Sequence, residues 1–395
     1  MGNFVSEVYL RKGVFMSDEI GVLVVDDSAM MRNLIGHMIE DTPGLVVAEK
    51  AMNGNFALQK IPRVNPDVIC LDLEMPEMNG IEFLQELQKQ NIKIPVVILS
   101  SLAEKGARIT MEALSLGASD FVQKPSGSVS TDIHSVRDTL IPKLLGYGSS
   151  YRRSQGKKVL PAEAYTKKPP SKSPHQDIAS YFKLIGTPVT TPAAPPPQVR
   201  RPGNTEIIAI GISTGGPDAL RVVFSSLDKD LTVPIVVVQH MPAGFTNEFA
   251  KSLDRICPLE VKEAEDGDVI QKGRILIAQG DKHLEVERKG GTIVASLSSS
   301  PLVSGHRPSV DVLFASIALN YQNRALGIIM TGMGRDGAAQ LGTIYKEGGM
   351  TLGQDEKSAV VYGMPRVAWE SGHVMEQVPL PNMARRICDV AKTPR

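Results

Sequence analysis

The sequence predicts an α/β protein built from two doubly wound domains: a five-stranded parallel sheet first, then a larger, mostly parallel sheet with an antiparallel hairpin, the two joined by a proline-rich linker. Three observations carry this reading. Short, continuous apolar runs such as Ile20 to Val25 and Ile207 to Ile210 suit strands buried on both faces. Stretches with apolar residues at helical spacing alternate with them. From Gly146 both patterns dissolve: prolines cluster at Pro169-Pro170 and Pro195-Pro196-Pro197, and apart from Glu163 and Asp177 the charges are Lys and Arg. That composition suits an extended, positively charged linker, which we place at 143–204.

Composition sets bounds. A chain of 395 residues with 42% hydrophobic content can build two or three packed cores, and its longest apolar run is far too short to span a bilayer. Lys and Arg number 43, as do Asp and Glu, so the neutral balance gives no sign of a nucleic-acid partner. Cys70, Cys257 and Cys388 lie far apart and match no disulfide or zinc spacing, which suits a reducing cytoplasm. Residues 1–17 read as a disordered extension without a signal-peptide core, and Met16 is an alternative start to Met1.

Residues 18–142 form the first predicted domain. Ile20 to Val25 is a strand ending in Asp26-Asp27; Ser28 caps a helix whose face carries Met31, Leu34, Ile35, Met38 and Ile39. Further strands follow at Leu45 to Ala48, Asp67 to Leu71, Ile94 to Leu99 and Asp120 to Val122, with a helix marked by Ile81, Leu84 and Leu87. Asp26, Asp27, Asp72, Ser100 and Lys124 therefore collect at the strands' carboxyl ends, where ligands of such sheets bind. Any one of them is unexceptional as a solvated loop residue. Together they are not: clustered carboxylates repel unless a cation sits among them, and Mg²⁺ favours one or two carboxylates plus phosphate and water. A carboxylate beside Mg²⁺, with a hydroxyl and an ammonium near, is suited to accept a phosphoryl group.

The motifs V-V-D-D-S, L-D-L-E-M-P-E-M-N-G, the strand-end Ser100 and F-V-Q-K-P resemble the receiver domain of two-component response regulators over residues 20 to about 142. The resemblance implies that Asp72 is the phosphoacceptor, supplied by a histidine kinase. It implies also that Asp26, Asp27 and Asp72 hold Mg²⁺, and that Ser100 and Lys124 are switch residues contacting the phosphoryl group. Within the linker, Ile178, Tyr181, Phe182 and Ile185 fall on one helical face. They read either as a docking helix or as a transient apolar cluster.

The second domain, 205–395, opens with the strand Ile207 to Ile210, the turn G-I-S-T-G-G-P and a helix carrying Leu220, Val223, Phe224 and Leu227. Ser213 stands between a strand end and a helix N-terminus. This is compatible with an ordinary connection, a phosphate loop lacking its middle glycine, or a nucleophile. Pro234 to Val238 is a strand that delivers His240 to the same edge, followed by a helix with Phe245, Phe249 and Leu253. After the acidic loop Glu263 to Asp268 come a strand at Ile275 to Ala278 and two alternating runs, Leu284 to Arg288 and Thr292 to Leu297, around Gly290-Gly291. These runs predict an antiparallel hairpin. His306-Arg307-Pro308-Ser309 precedes a helix with Val310, Leu313, Phe314 and Ile317; Ala325 to Met330 is a strand whose turn T-G-M-G-R-D-G brings Asp336 to that edge. Met350 to Gly353 and helices near Met364 and Pro381 complete the domain. An active serine needs a base in hydrogen-bond reach and an acid to fix the base's tautomer. The joint placement of Ser213, His240 and Asp336 favours that reading, in a chain order unlike that of α/β-hydrolases.

With Q-H-M-P, D-K-H and H-R-P-S-V-D added, residues 206–395 resemble the chemotaxis protein-glutamate methylesterases, departing by Ile212 and Arg335 at positions outside the triad. The resemblance implies a Ser213–His240–Asp336 triad; for such acyl transfer the backbone N–H groups near Thr214 and Met333 are candidate oxyanion donors, and no cofactor is expected for the esterase. It implies demethylation of glutamate esters and deamidation of glutamines on cytoplasmic helices of methyl-accepting chemoreceptors. It further implies a cytoplasmic protein without membrane insertion, whose phosphorylation controls access to Ser213. A non-enzymatic adaptor, a receiver joined to a receptor-binding module, is the rival reading. A DNA-binding output is disfavoured by the neutral charge and by the lack of a helix-turn-helix.

Overall fold

The computed structural model describes residues 18–101, 104–124, 130–159 and 201–392. The extension at 1–17, the linker helix at 178–185 and most of the linker lie outside the described residues. The chain divides into two compact units.

The first sheet is parallel and five-stranded, in the order β2-β1-β3-β4-β5, with β1 Ile20–Val25, β2 Leu45–Ala51, β3 Val68–Asp72, β4 Val96–Ser100 and β5 Asp120–Gln123. Strands β1, β3 and β4 are buried along their whole length, as their continuous apolar sequences require. Between them run α1 Ala29–Glu40, α2 Gly54–Val64, α3 Gly80–Lys89, α4 Glu104–Ser115 and, after β5, α5 Ser130–Ser154. Ser28 caps α1, and Asn79 with Glu82 forms a capping box on α3. Sequence reading named no helix at α2, whose last turn contains Pro62; Asn53 caps it, and Ala57 and Ile61 face the core.

One boundary needs correction. The pattern does not dissolve at Gly146, because α5 continues to Ser154. Leu140, Ile141, Leu144, Leu145 and Tyr147 are buried. A Cβ on Gly148 would lie 2.3 Å from the Ile20 side chain. Gly148 lets the helix pass close to β1 at that point. Beyond it, the Asp67 carboxylate accepts hydrogen bonds from the Gly21 amide at 3.0 Å, Arg152 at 2.9 Å and Lys157 at 2.9 Å.

The second sheet is seven-stranded and parallel, in the order β14-β13-β12-β6-β7-β9-β8. Its strands are β6 Ile207–Ile212, β7 Ile235–Gln239, β8 Glu260–Glu263, β9 Arg274–Ile277, β12 Ala325–Ile329, β13 Met350–Gln354 and β14 Glu376–Val378. The predicted hairpin is present as the antiparallel pair β10 His283–Lys289 and β11 Thr292–Ser298. The edge strands β8 and β14 went unread, being short and carrying Glu260, Lys262, Glu263 and Glu376. Helices α6 Gly216–Phe224, α7 Thr246–Asp254, α8 Val310–Tyr321, α9 Ala338–Lys346, α10 Met364–Glu370 and α11 Leu380–Lys392 cover the sheet. Leu313, Phe314 and Ile317 of α8 pack with Leu341 and Ile344 of α9 in the core.

The Arg152–Asp67 pair is 7% and 4% exposed. Removing one partner of a buried pair costs about 3–5 kcal/mol, so Arg152→Ala should destabilise the first domain by that order. Thermal or urea unfolding followed by a probe in the first domain measures it; an unchanged transition would show that α5 is held by its apolar face alone.

Candidate active site

The second sheet sets three adjacent strands in the order β12-β6-β7. Neighbouring parallel strands lie roughly 4.8 Å apart, so residues just past their carboxyl ends are within side-chain reach of one another. Ser213 follows β6, His240 follows β7, and Asp336 lies in the turn between β12 and α9. Backbone bonds carry the pairing past the strands: Ser213 N–H donates to Thr331 C=O at 3.0 Å, and His240 N–H to Ile212 C=O at 3.2 Å.

The side chains meet. His240 Nδ1 is 3.1 Å from Ser213 Oγ, and His240 Nε2 is 2.8 Å from Asp336 Oδ2. Asp336 is buried, yet well satisfied: its carboxylate accepts from Ser309 Oγ at 2.7 Å, Val310 N at 2.7 Å and Asp311 N at 3.1 Å. Burial alone would raise its pKa. The hydrogen bond and charge of His240 outweigh that, with help from Ser309 and Val310, and hold Asp336 down at about 2. An ionised Asp336 accepts from Nε2–H, which fixes the tautomer with the Nδ1 lone pair turned to Ser213. The hydroxyl, the ring and the carboxylate thus form a path along which a proton can leave Ser213.

The turns are held by polar residues that lie in the quoted motifs but have no role assigned from the sequence. The buried Gln239 amide donates to Ser213 C=O at 3.1 Å and to His240 C=O at 3.0 Å, tying the two turns together. Thr331 Oγ1 donates to Thr214 C=O at 2.9 Å. Ser309, the residue before α8, gives its hydroxyl to Asp336 instead of capping its own helix. Its place ahead of a helical apolar run was a signal for a cap, not for a partner in another turn. His306 stacks on His240, ring centroids 3.8 Å apart. Among the described residues, the amides of Thr214 and Met333 have no intramolecular acceptor.

In the first sheet, Asp26, Asp27 and Asp72 bring one carboxylate oxygen each within 4.8 Å of one another. Arg32 reaches under this edge to the carbonyls of Asp26 at 2.6 Å and Asp27 at 2.9 Å. Three hard carboxylate donors at such spacing fit Mg²⁺. Lys124 N–H donates to Ser100 C=O at 2.7 Å, placing both residues at that edge. The Ser100 hydroxyl bonds to Thr110 on α4.

An acidic, cation-sized cluster on one doubly wound sheet and a serine–histidine–aspartate chain on another define a response regulator with a hydrolase output. Family models agree: the response regulator receiver domain matches residues 22–132, and the CheB methylesterase matches residues 208–387. The protein-glutamate methylesterase/protein-glutamine glutaminase of Treponema denticola is 60% identical over 377 residues, covering 94% of this chain and 98% of that one. Its namesake in Treponema pallidum is 51% identical, covering 94% and 97%. The crystal structure of the Thermotoga maritima CheB methylesterase catalytic domain aligns with 47% of this chain and 99% of that one, at 36% identity and a TM-score of 0.46. The chain belongs to the protein-glutamate methylesterase/protein-glutamine glutaminase family.

Gly332 offers a test of how tightly Ser213 is framed. A Cβ there would lie 2.4 Å from the Met364 sulfur and 2.8 Å from Ser213 Cβ. Gly332→Ala should displace the Ser213 side chain and lower kcat on the order of 10²-fold, as small misplacements of reacting groups do, with the fold retained by circular dichroism. Wild-type turnover in that variant would mean that the turn yields without moving Ser213.

Proposed function

We propose that this protein hydrolyses glutamate γ-methyl esters, and deamidates glutamines, on cytoplasmic helices of methyl-accepting chemoreceptors. Phosphorylation of its receiver sets the rate. The observation that carries the reading is the continuous Ser213–His240–Asp336 chain, at 3.1 and 2.8 Å. Ser213 Oγ attacks the γ-carbonyl as its proton passes to His240 Nδ1, and Asp336 holds and stabilises the imidazolium. The N–H groups of Thr214 and Met333 receive the developing oxyanion. As the carbonyl re-forms, the C–OCH₃ bond breaks and methanol departs with the proton from His240; with a glutamine substrate, ammonia departs instead. Water, deprotonated by His240, then attacks the acyl-serine and frees Ser213 and the glutamate.

At the other site Asp72 accepts a phosphoryl group from a histidine kinase, with Ser100 and Lys124 as the groups that register its arrival. Asp26, Asp27 and Asp72 would hold Mg²⁺, which offsets the negative charge on the phosphoryl oxygens. A cytoplasmic location accords with these partners. Among the described residues, no helix is long and apolar enough to cross a membrane.

Methanol release from methylated receptors tests the esterase. Ser213→Ala should lower kcat on the order of 10⁶-fold and Asp336→Asn about 10⁴-fold, as in serine hydrolases of other folds. Near wild-type release by Ser213→Ala would leave the non-enzymatic adaptor as the better reading. Phosphorylation is read separately, with labelled phosphodonor: wild type should take label only with Mg²⁺ present and release methanol faster when labelled. Asp72→Asn should take none. Label on Asp72→Asn would put the acceptor elsewhere.

A further inference from the structure

His306 has no part in the proton path, yet it is built into the site. Its ring lies 3.8 Å from that of His240, the planes only 14° apart. Its backbone is fixed by the tight turn Val303–His306, closed by bonds of 3.1 and 2.9 Å and carried by positive φ at Ser304 and Gly305. Next to it, Arg307 clamps the loop to Asp281 and to the carbonyls of Ser299 and Ser300. No hydrogen bond to either His306 ring nitrogen is formed among the described residues. A ring lying face-on cannot exchange a proton with the ring beneath it, because the nitrogen lone pairs lie in the ring plane. What it offers His240 is a π face.

We propose that His306 is a positioning residue: a neutral aromatic lid that keeps the His240 ring in line between Ser213 and Asp336 and stabilises the imidazolium formed during acyl transfer. The proposal rests on the reading of His240 as the base. A cation over an aromatic face is attracted to it, the more so when shielded from water. The role requires His306 to stay uncharged. Burial pushes its pKa down to about 4, the charge of His240 pushes the same way, and Asp336 pulls weakly against both. These are the titratable groups that face it.

The test measures kcat and KM against pH for methanol release by the phosphorylated whole protein, in His306→Ala, His306→Gln and His306→Phe. Without the π face, the protonated form of His240 is less stable. The acid limb of kcat/KM should then move about half a pH unit lower, with kcat about three- to tenfold lower and KM little changed in Ala and Gln. His306→Phe restores a flat ring and should return both quantities to near wild type. A purely structural residue would lower activity and melting temperature together without moving the limb. The proposal is overturned by wild-type behaviour in His306→Ala and His306→Gln, by an unmoved limb, or by a Phe variant as impaired as Ala. Ser213→Ala, run alongside, separates the two readings: activity in that variant sinks the base assignment itself, whereas a dead Ser213→Ala beside a normal His306→Ala sinks only the lid.

Discussion

A carboxylate 1% exposed to solvent is tenable only if donors surround it. Asp336 has four: His240, the Ser309 hydroxyl, and the amides of Val310 and Asp311. Two of these are the first N–H groups of α8, which lack partners within their own helix. Asp336 is therefore also the cap of α8, supplied from a turn 25 residues further along the chain. One interaction fixes where α8 begins, where the β12 turn lies and which way the imidazole faces. Its charge has a cost nearby: burial and the charge of Asp336 push Asp311 above the usual carboxylate range, and Gln340 N–H and the Ser304 hydroxyl donate to it.

The two sheets use one edge for opposite electrostatic ends. Donors from the protein surround Asp336, so it keeps its charge in place of a bound cation. Asp26, Asp27 and Asp72 instead bring their oxygens within 4.8 Å of one another, where like charges repel. Both arrangements follow from parallel strands whose carboxyl ends gather whatever the turns carry.

That regularity explains what was legible. A parallel strand buried on both faces shows itself as an unbroken apolar run, so β1, β3, β6, β7 and β12 and the residues that follow them could be read directly. The shared edge of Ser213, His240 and Asp336 was legible because each directly follows a strand or lies in the turn beyond it. Edge strands gave no such signal: β8 reads Glu-Val-Lys-Glu, since one flank of it lacks a neighbour. The length of α5 was hidden in part by Gly148, a glycine needed for closeness to β1 and not for a turn. Gln239, Thr331, Ser309 and His306 were not legible as partners at all. Their roles depend on contacts across turns, which no local period encodes.

The sheet order has a consequence for biosynthesis. Strand β12 enters between β6 and β13, on the far side of β6 from β7. The ribosome delivers the N-terminal part first, so serine and histidine emerge well before the acid, which lies 96 residues beyond the histidine. Until β12 takes its place, the imidazole lacks its carboxylate partner and one side of β6 lies open. A nascent chain that ends before β12 would carry Ser213 and His240 without the carboxylate that meets the imidazole.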